Sequence, residues 1–130
     1  MAEKVDRTIE AGKLRFHTYY RAAGADSGPA VEVFAETAPG RWREVLRYDC
    51  FAQEPHRHYF KADGVEEREG YPGGVAESVT AAKKELTELP AILGRIGYGD
   101  VAGQLSAKDL QEAVTTVQSE LTALETRGGS

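Results

Sequence analysis

At 130 residues the chain can enclose one modest hydrophobic core, and 41% hydrophobic with 28% charged residues is an ordinary globular composition. The net charge of −5 argues against broad, phosphate-driven binding of nucleic acid. One cysteine, Cys50, rules out an internal disulfide and a four-cysteine zinc site. No apolar run approaches the roughly 20 residues that span a bilayer. The charged start, from Met1 to Arg7, has no apolar core of a secretory signal. A cytoplasmic protein without a membrane span is expected.

Residues 1–12 are polar, end at Gly12, and read as a frayed or edge segment. From 13 to 21 Leu14, Phe16, Thr18 and Tyr20 alternate with Arg15, His17, Tyr19 and Arg21, the period of a strand. Residues 22–29 carry loop chemistry. A second strand is expected at 30–36, with Val31, Val33 and Ala35 on one face and Glu32, Phe34 and Glu36 on the other. Pro39-Gly40 centres a turn. Third and fourth strands are expected at 42–51 and 56–62, and the short links favour an antiparallel meander.

Residues 65–74 read as a loop, with Tyr71 as an anchor. Helical spacing then takes over. Val75, Val79, Ala82, Leu86 and Leu89 form one stripe, and Pro90 should end or kink that helix. Ile92, Leu93 and Ile96 make a short helical piece, and 97–103 break it, with Tyr98 a second loop anchor. Ser106 is a good N-cap with Asp109 three residues on. Leu110, Val114, Val117, Leu121 and Leu124 give the last helix its apolar stripe, ahead of a tail at 126–130 whose Gly-Gly-Ser end resembles an added segment. The expected fold is a single α+β domain over 1–130: a four-stranded antiparallel meander (13–62) followed by a C-terminal helical hairpin (75–127).

The charge is uneven. Residues 1–62 hold 10 Lys/Arg against 9 Asp/Glu, and residues 63–130 hold 6 against 12. Arg15, Arg21, Arg41, Arg43, Arg47, Arg57 and Lys61 all lie in the first half, as a basic patch or as solvated strand faces. The chemistry concentrates in "RYDCFAQEPHRHYF", residues 47–60. A four-residue loop at 52–55 would pair Phe51 with His56, Asp49 with His58 and Arg47 with Phe60. Arg47, Asp49, His56 and His58 then share one face, and Tyr48, Cys50, Arg57 and Tyr59 the other. A bulge or a longer loop would change the faces. His17 would join the cluster only if its strand neighbours the hairpin.

Three kinds of chemistry suit this group. Two imidazoles and a carboxylate can converge on a cation as a 2-His-1-carboxylate site of His56, His58 and Asp49. His58 oriented by Asp49 can move protons, with Arg47 holding an anion. The third reading is structural: a cross-strand His–Asp pair that steadies a hairpin. Cys50 reads as an inert, part-buried thiol. No phosphate loop is present: the Gly-rich stretches lack a following Gly-Lys-Ser/Thr.

Arg47-Tyr48-Asp49 followed by His56 and His58 on a strand pair resembles the TumE-like small toxins of toxin–antitoxin pairs. It also resembles related proteins with an "RYD…H…HxH" core. The resemblance covers residues 30–62. It implies that Arg47, Tyr48, Asp49, His56 and His58 are functional and act on nucleic acid. The expected functions are a polar Arg47/Asp49/His56/His58 site of toxin-like nuclease character, a non-catalytic subunit docking by its sheet face or last helix, or a small metal-binding domain. No cofactor is expected beyond a divalent metal in the last case. An antitoxin, an enzyme subunit or a second copy is the expected partner. A nuclease needs an open, electropositive face; a docking subunit needs an exposed apolar stripe; a metal site needs converging imidazoles.

Overall fold

The computed structural model describes residues 7–128. Six antiparallel strands form one sheet in chain order: β1 (Arg7–Ala11), β2 (Leu14–Ala23), β3 (Asp26–Ala38), β4 (Arg41–Asp49), β5 (His56–Phe60) and β6 (Glu66–Gly70). Four helices follow: α1 (Val75–Leu86), α2 (Leu89–Arg95), α3 (Gly99–Ala102) and α4 (Ala107–Gly128). Strands precede helices and the class is α+β, but the expected four strands are six, and two short helices separate α1 from α4.

The two added strands have plain causes. β1 is the edge segment anticipated before Gly12, now paired along β2. β6, read as a loop, has no apolar alternation to announce it. It forms by pairing with β5, helped by an Arg57–Glu69 ion pair, and its acidic side chains suit a sheet edge. The 22–29 loop also shrinks. β2 and β3 run to a two-residue turn in which Gly24 takes φ 62°. Gly28 lies under the end of β4, where a Cβ would meet the Cys50 carbonyl oxygen at 2.0 Å. Only glycine fits that crossing.

One sheet face is covered. Leu14, Phe16, Val31, Val33, Leu46 and Tyr48 are fully buried against the helices. α4 packs across β1, β2 and β3, and α1 packs beside it. Leu110, Val114, Val117, Leu121 and Leu124 are all buried within the chain, so the stripe is core. Ser106 caps α4 as expected, accepting the Asp109 N–H at 3.3 Å. α4 continues through Gly128, into the expected tail; Gly129, Ser130 and residues 1–6 lie outside the described residues. Pro90 does not end the first helix, which stops at Leu86. It sits instead in the first turn of α2, where its missing N–H costs nothing. No helix of the described residues is long and apolar enough to cross a membrane.

Burial of this stripe makes a stability prediction. Leu121→Ala, at a fully buried position, should destabilise the fold by about 2–5 kcal/mol in urea unfolding. Gln111→Ala on the exposed side of the same helix should change it by less than about 0.5 kcal/mol.

Candidate metal centre

Among the described residues no helix packs on the other face of the sheet. Rows of side chains run across it, set by the register: His17, Glu32, Arg47 and His58 in one row, Tyr19, Ala30, Asp49 and His56 in the next. The β4–β5 register differs from the expected one. Asp49 opposes His56 and Arg47 opposes His58, because the connecting loop is six residues, 50–55. The slip is two residues, and a two-residue slip preserves the pleat. Arg47, Asp49, His56 and His58 therefore still share a face.

The longer loop is built by a residue from another hairpin. The Asp26 carboxylate accepts the N–H groups of Gln53 at 3.0 Å and Glu54 at 2.8 Å, as well as that of Ser27 at 2.9 Å. Slight burial opposes ionisation of Asp26, but these N–H bonds hold its carboxyl below the usual range. The Cys50 and Ala52 N–H groups bond the Pro29 and Ser27 carbonyls, closing the loop onto β3. Glu54, so fixed, presents its own carbonyl to His56.

Each imidazole is held from behind. His56 Nδ1 lies 2.8 Å from the Glu54 carbonyl oxygen, and His58 Nδ1 lies 2.8 Å from Glu66 Oε2. Both partners only accept, so both Nδ1 atoms carry hydrogen. That leaves both Nε2 atoms facing one oxygen, Asp49 Oδ2, at 3.1 Å from His56 and 3.7 Å from His58. A neutral ring with Nδ1–H would aim the Nε2 lone pair at a carboxylate oxygen. Each contact is attractive only across a cation, either a proton on Nε2 or a metal ion shared by all three groups. The Asp49 side chain is 2% exposed, and those of His56 and His58 are 12% and 13% exposed. Phe51 meets His56 edge-on and Phe60 stacks on His58, so aromatic walls flank the pair.

The donors are grouped closely enough that they could hold a metal ion. The three ligand atoms all lie within 4.8 Å of one another. Bonds of about 2.0–2.2 Å require donor separations of about 2.9–3.5 Å. The 3.1 Å His56–Asp49 contact falls in that range, and the 3.7 Å His58–Asp49 contact lies just outside it. Acceptors on the far ring nitrogens are the usual support of metal-binding histidines.

The other expected site residues are placed differently. Arg47 is on the right face but is gripped by Glu44 through two 2.9 Å hydrogen bonds. A bulge at Val45 allows this, since residues three apart on a regular strand point to opposite faces. Bonding to Glu44 is the main reason that Arg47 is held even more firmly protonated. Arg21, two strands away, reaches the second Asp49 oxygen, Nη1 to Oδ1 at 3.4 Å. His17 does not join the triad. It bonds Glu32 at 3.0 Å and stacks on Tyr19, with β3 between it and the hairpin. Tyr48, the remaining residue of the resemblance, is fully buried on the helix side.

Cys50 is also fully buried, and desolvation pushes its thiol up to about 12, so it is inert. The helix side holds a cluster without a local sequence signal. The Glu85 carboxylate of α1 accepts the Tyr59 hydroxyl at 2.7 Å, Tyr71 at 3.2 Å, Tyr48 at 3.4 Å and the Arg57 guanidinium. Tyr71 is thus a loop anchor, as is Tyr98, whose hydroxyl bonds the Phe60 carbonyl at 2.8 Å. Arg57 and Tyr59 alternate with His56 and His58, so one short strand is pinned from behind while it presents the site in front.

A family model described as a domain of unknown function (DUF7700) matches residues 8–121. The chain belongs to this family. No curated protein and no solved structure matches it. The DUF7700 match runs from β1 into α4, well beyond residues 30–62, and nothing in it links the chain to TumE-like toxins.

The tyrosine cluster carries a pH signature. Burial first, and then the Glu85 charge, raise the pKa of Tyr48 and of Tyr71; burial and the Glu85 hydrogen bond raise that of Tyr59. The folded state therefore keeps protons that the unfolded state loses above about pH 10. Stability from this source is complete below that pH and declines as pH rises toward the folded values. Tyr59→Phe should flatten the alkaline decline in denaturant-unfolding free energy relative to the parent.

Proposed function

We propose that this domain binds one divalent transition-metal ion through Asp49, His56 and His58, on the open face of its sheet. The observation that carries the reading is the shared aim of two imidazole Nε2 atoms at Asp49 Oδ2, with both Nδ1 atoms committed to acceptors. Two imidazoles and one carboxylate form the 2-His-1-carboxylate set, which leaves coordination positions for an outside ligand. Three protein donors with an open position also describe catalytic zinc sites. A bound ion would act there as a Lewis acid toward that ligand. Asp49 supplies the anionic donor, while Glu54 and Glu66 fix the ring orientations.

The two other readings find less support. A toxin-like nuclease acting through Arg47, Asp49, His56 and His58 calls for spare positive charge. On this face Arg47 meets Glu44 and Glu32, Arg15 meets Glu10, and Arg21 meets Asp49. A docking subunit calls for an exposed apolar stripe, but among the described residues Val65 is the one large hydrophobic side chain that is exposed.

Calorimetric titration of the full chain with zinc(II) or cobalt(II), in a non-coordinating buffer, tests the metal reading. One ion should bind per chain. The His56→Ala/His58→Ala double variant should lose about 100-fold or more in affinity while keeping a cooperative thermal transition, and Glu66→Ala should lose about tenfold. His17→Ala should bind as the parent does. A parent protein that takes up no ion, or a double variant with parental affinity, contradicts the reading. A double variant that fails to fold would point to the histidines as structural, and Asp49→Asn would then be titrated in its place.

A further inference from the structure

Asp49 already acts as a bridge. Its Oδ2 faces the two imidazoles, and its Oδ1 accepts from Arg21 Nη1 at 3.4 Å. Arg21 thus lies beside the position of the ion, on the same open face, with its side chain 32% exposed. That long contact is the one hydrogen bond its side chain makes among the described residues, so most of its N–H donors are available. The other arginines of this face are more firmly engaged, Arg47 by two 2.9 Å bonds to Glu44 and Arg15 by a 2.8 Å bond to Glu10.

We propose that the ion held by Asp49, His56 and His58 takes an oxyanion, a carboxylate or phosphate group, as its outside ligand, with a second oxygen of that group on the Arg21 guanidinium. The inference rests on the metal reading and adds the ligand class to it. The ligand would repeat, from the solvent side, the bridge that Asp49 makes from beneath. A planar guanidinium with several donors suits such a group, and a hard anionic oxygen suits an open position on a divalent ion. Charge favours it only after loading. With both imidazoles neutral, as ligation requires, Asp49, Glu66 and Arg21 are together −1, and a divalent ion makes them +1. With its imidazoles neutral the metal-free centre repels an anion, and the loaded centre attracts one. Metal and oxyanion should therefore bind in that order.

Cobalt(II) provides the readout, because its visible absorption responds to a change of ligand. The full chain would be saturated with cobalt in a non-coordinating buffer at low ionic strength. Acetate and inorganic phosphate would then be titrated separately, to distinguish carboxylate from phosphate. At least one should change the spectrum along a saturable, one-site curve. At saturating cobalt, Arg21→Gln should weaken that anion by about tenfold or more, and Arg21→Lys should recover part of the loss, since lysine keeps the charge but not the fork. Cobalt uptake with no response to either anion overturns this inference and leaves the metal reading standing. An unchanged anion affinity in Arg21→Gln overturns it as well. Failure to take up cobalt at all overturns both.

Discussion

The pleat of β5 is the constraint on which both halves of the structure depend. Residues 56 and 58 point to the open face, and residues 57 and 59 point to the helices. The first pair meets Asp49; the second meets Glu85. Because β5 has five residues, it could not hold two imidazoles in place by backbone pairing alone with much precision. Flanking strands pair on both sides of it, and the Glu85 carboxylate ties it to α1 through Arg57 and Tyr59. The polar cluster on the covered face thereby limits how far the imidazoles on the open face can move.

The same parity explains how much of the site was legible in the sequence. A four-residue loop was the simplest reading of residues 52–55, and it paired Asp49 with His58. The six-residue loop pairs Asp49 with His56, yet the grouping of Arg47, Asp49, His56 and His58 survives, since a shift of two moves no side chain to the other face. The cause of the shift was not readable locally. It is Asp26, more than twenty residues upstream, whose carboxylate collects the loop's N–H groups. Glu66 behind His58 was hidden for a related reason: a strand of sequence Glu-Glu-Arg-Glu-Gly has no alternation of its own and exists through its pairing with β5. The meander, the buried stripe of α4 and the Ser106 cap follow from period and local chemistry, and these were legible. The grip of Glu44 on Arg47 needed the Val45 bulge, which no spacing rule announces.

The choice between a proton and a metal ion at Asp49 is a choice between two ways of neutralising the same buried carboxylate. Two protonated rings would give an ion-paired hairpin and nothing more. An acceptor behind each ring serves an imidazolium as well as a metal ligand, so it is the position left open in front that separates the two. The arrangement has both: acceptors at Glu54 and Glu66, and a solvent-facing side bordered by Arg21 and the Phe51 and Phe60 rings. The donors also come from two adjacent strands of one hairpin, so their separation is set by sheet geometry rather than by a flexible loop.

The most direct measurement is anomalous X-ray diffraction from crystals of the full chain grown or soaked with zinc. An anomalous peak is expected at about 2.0–2.2 Å from Asp49 Oδ2 and from Nε2 of both His56 and His58, with Nδ1 of each ring still on its acceptor. Crystals in which zinc binds elsewhere, or in which the three groups remain in direct contact with no ion between them at saturating zinc, would contradict it.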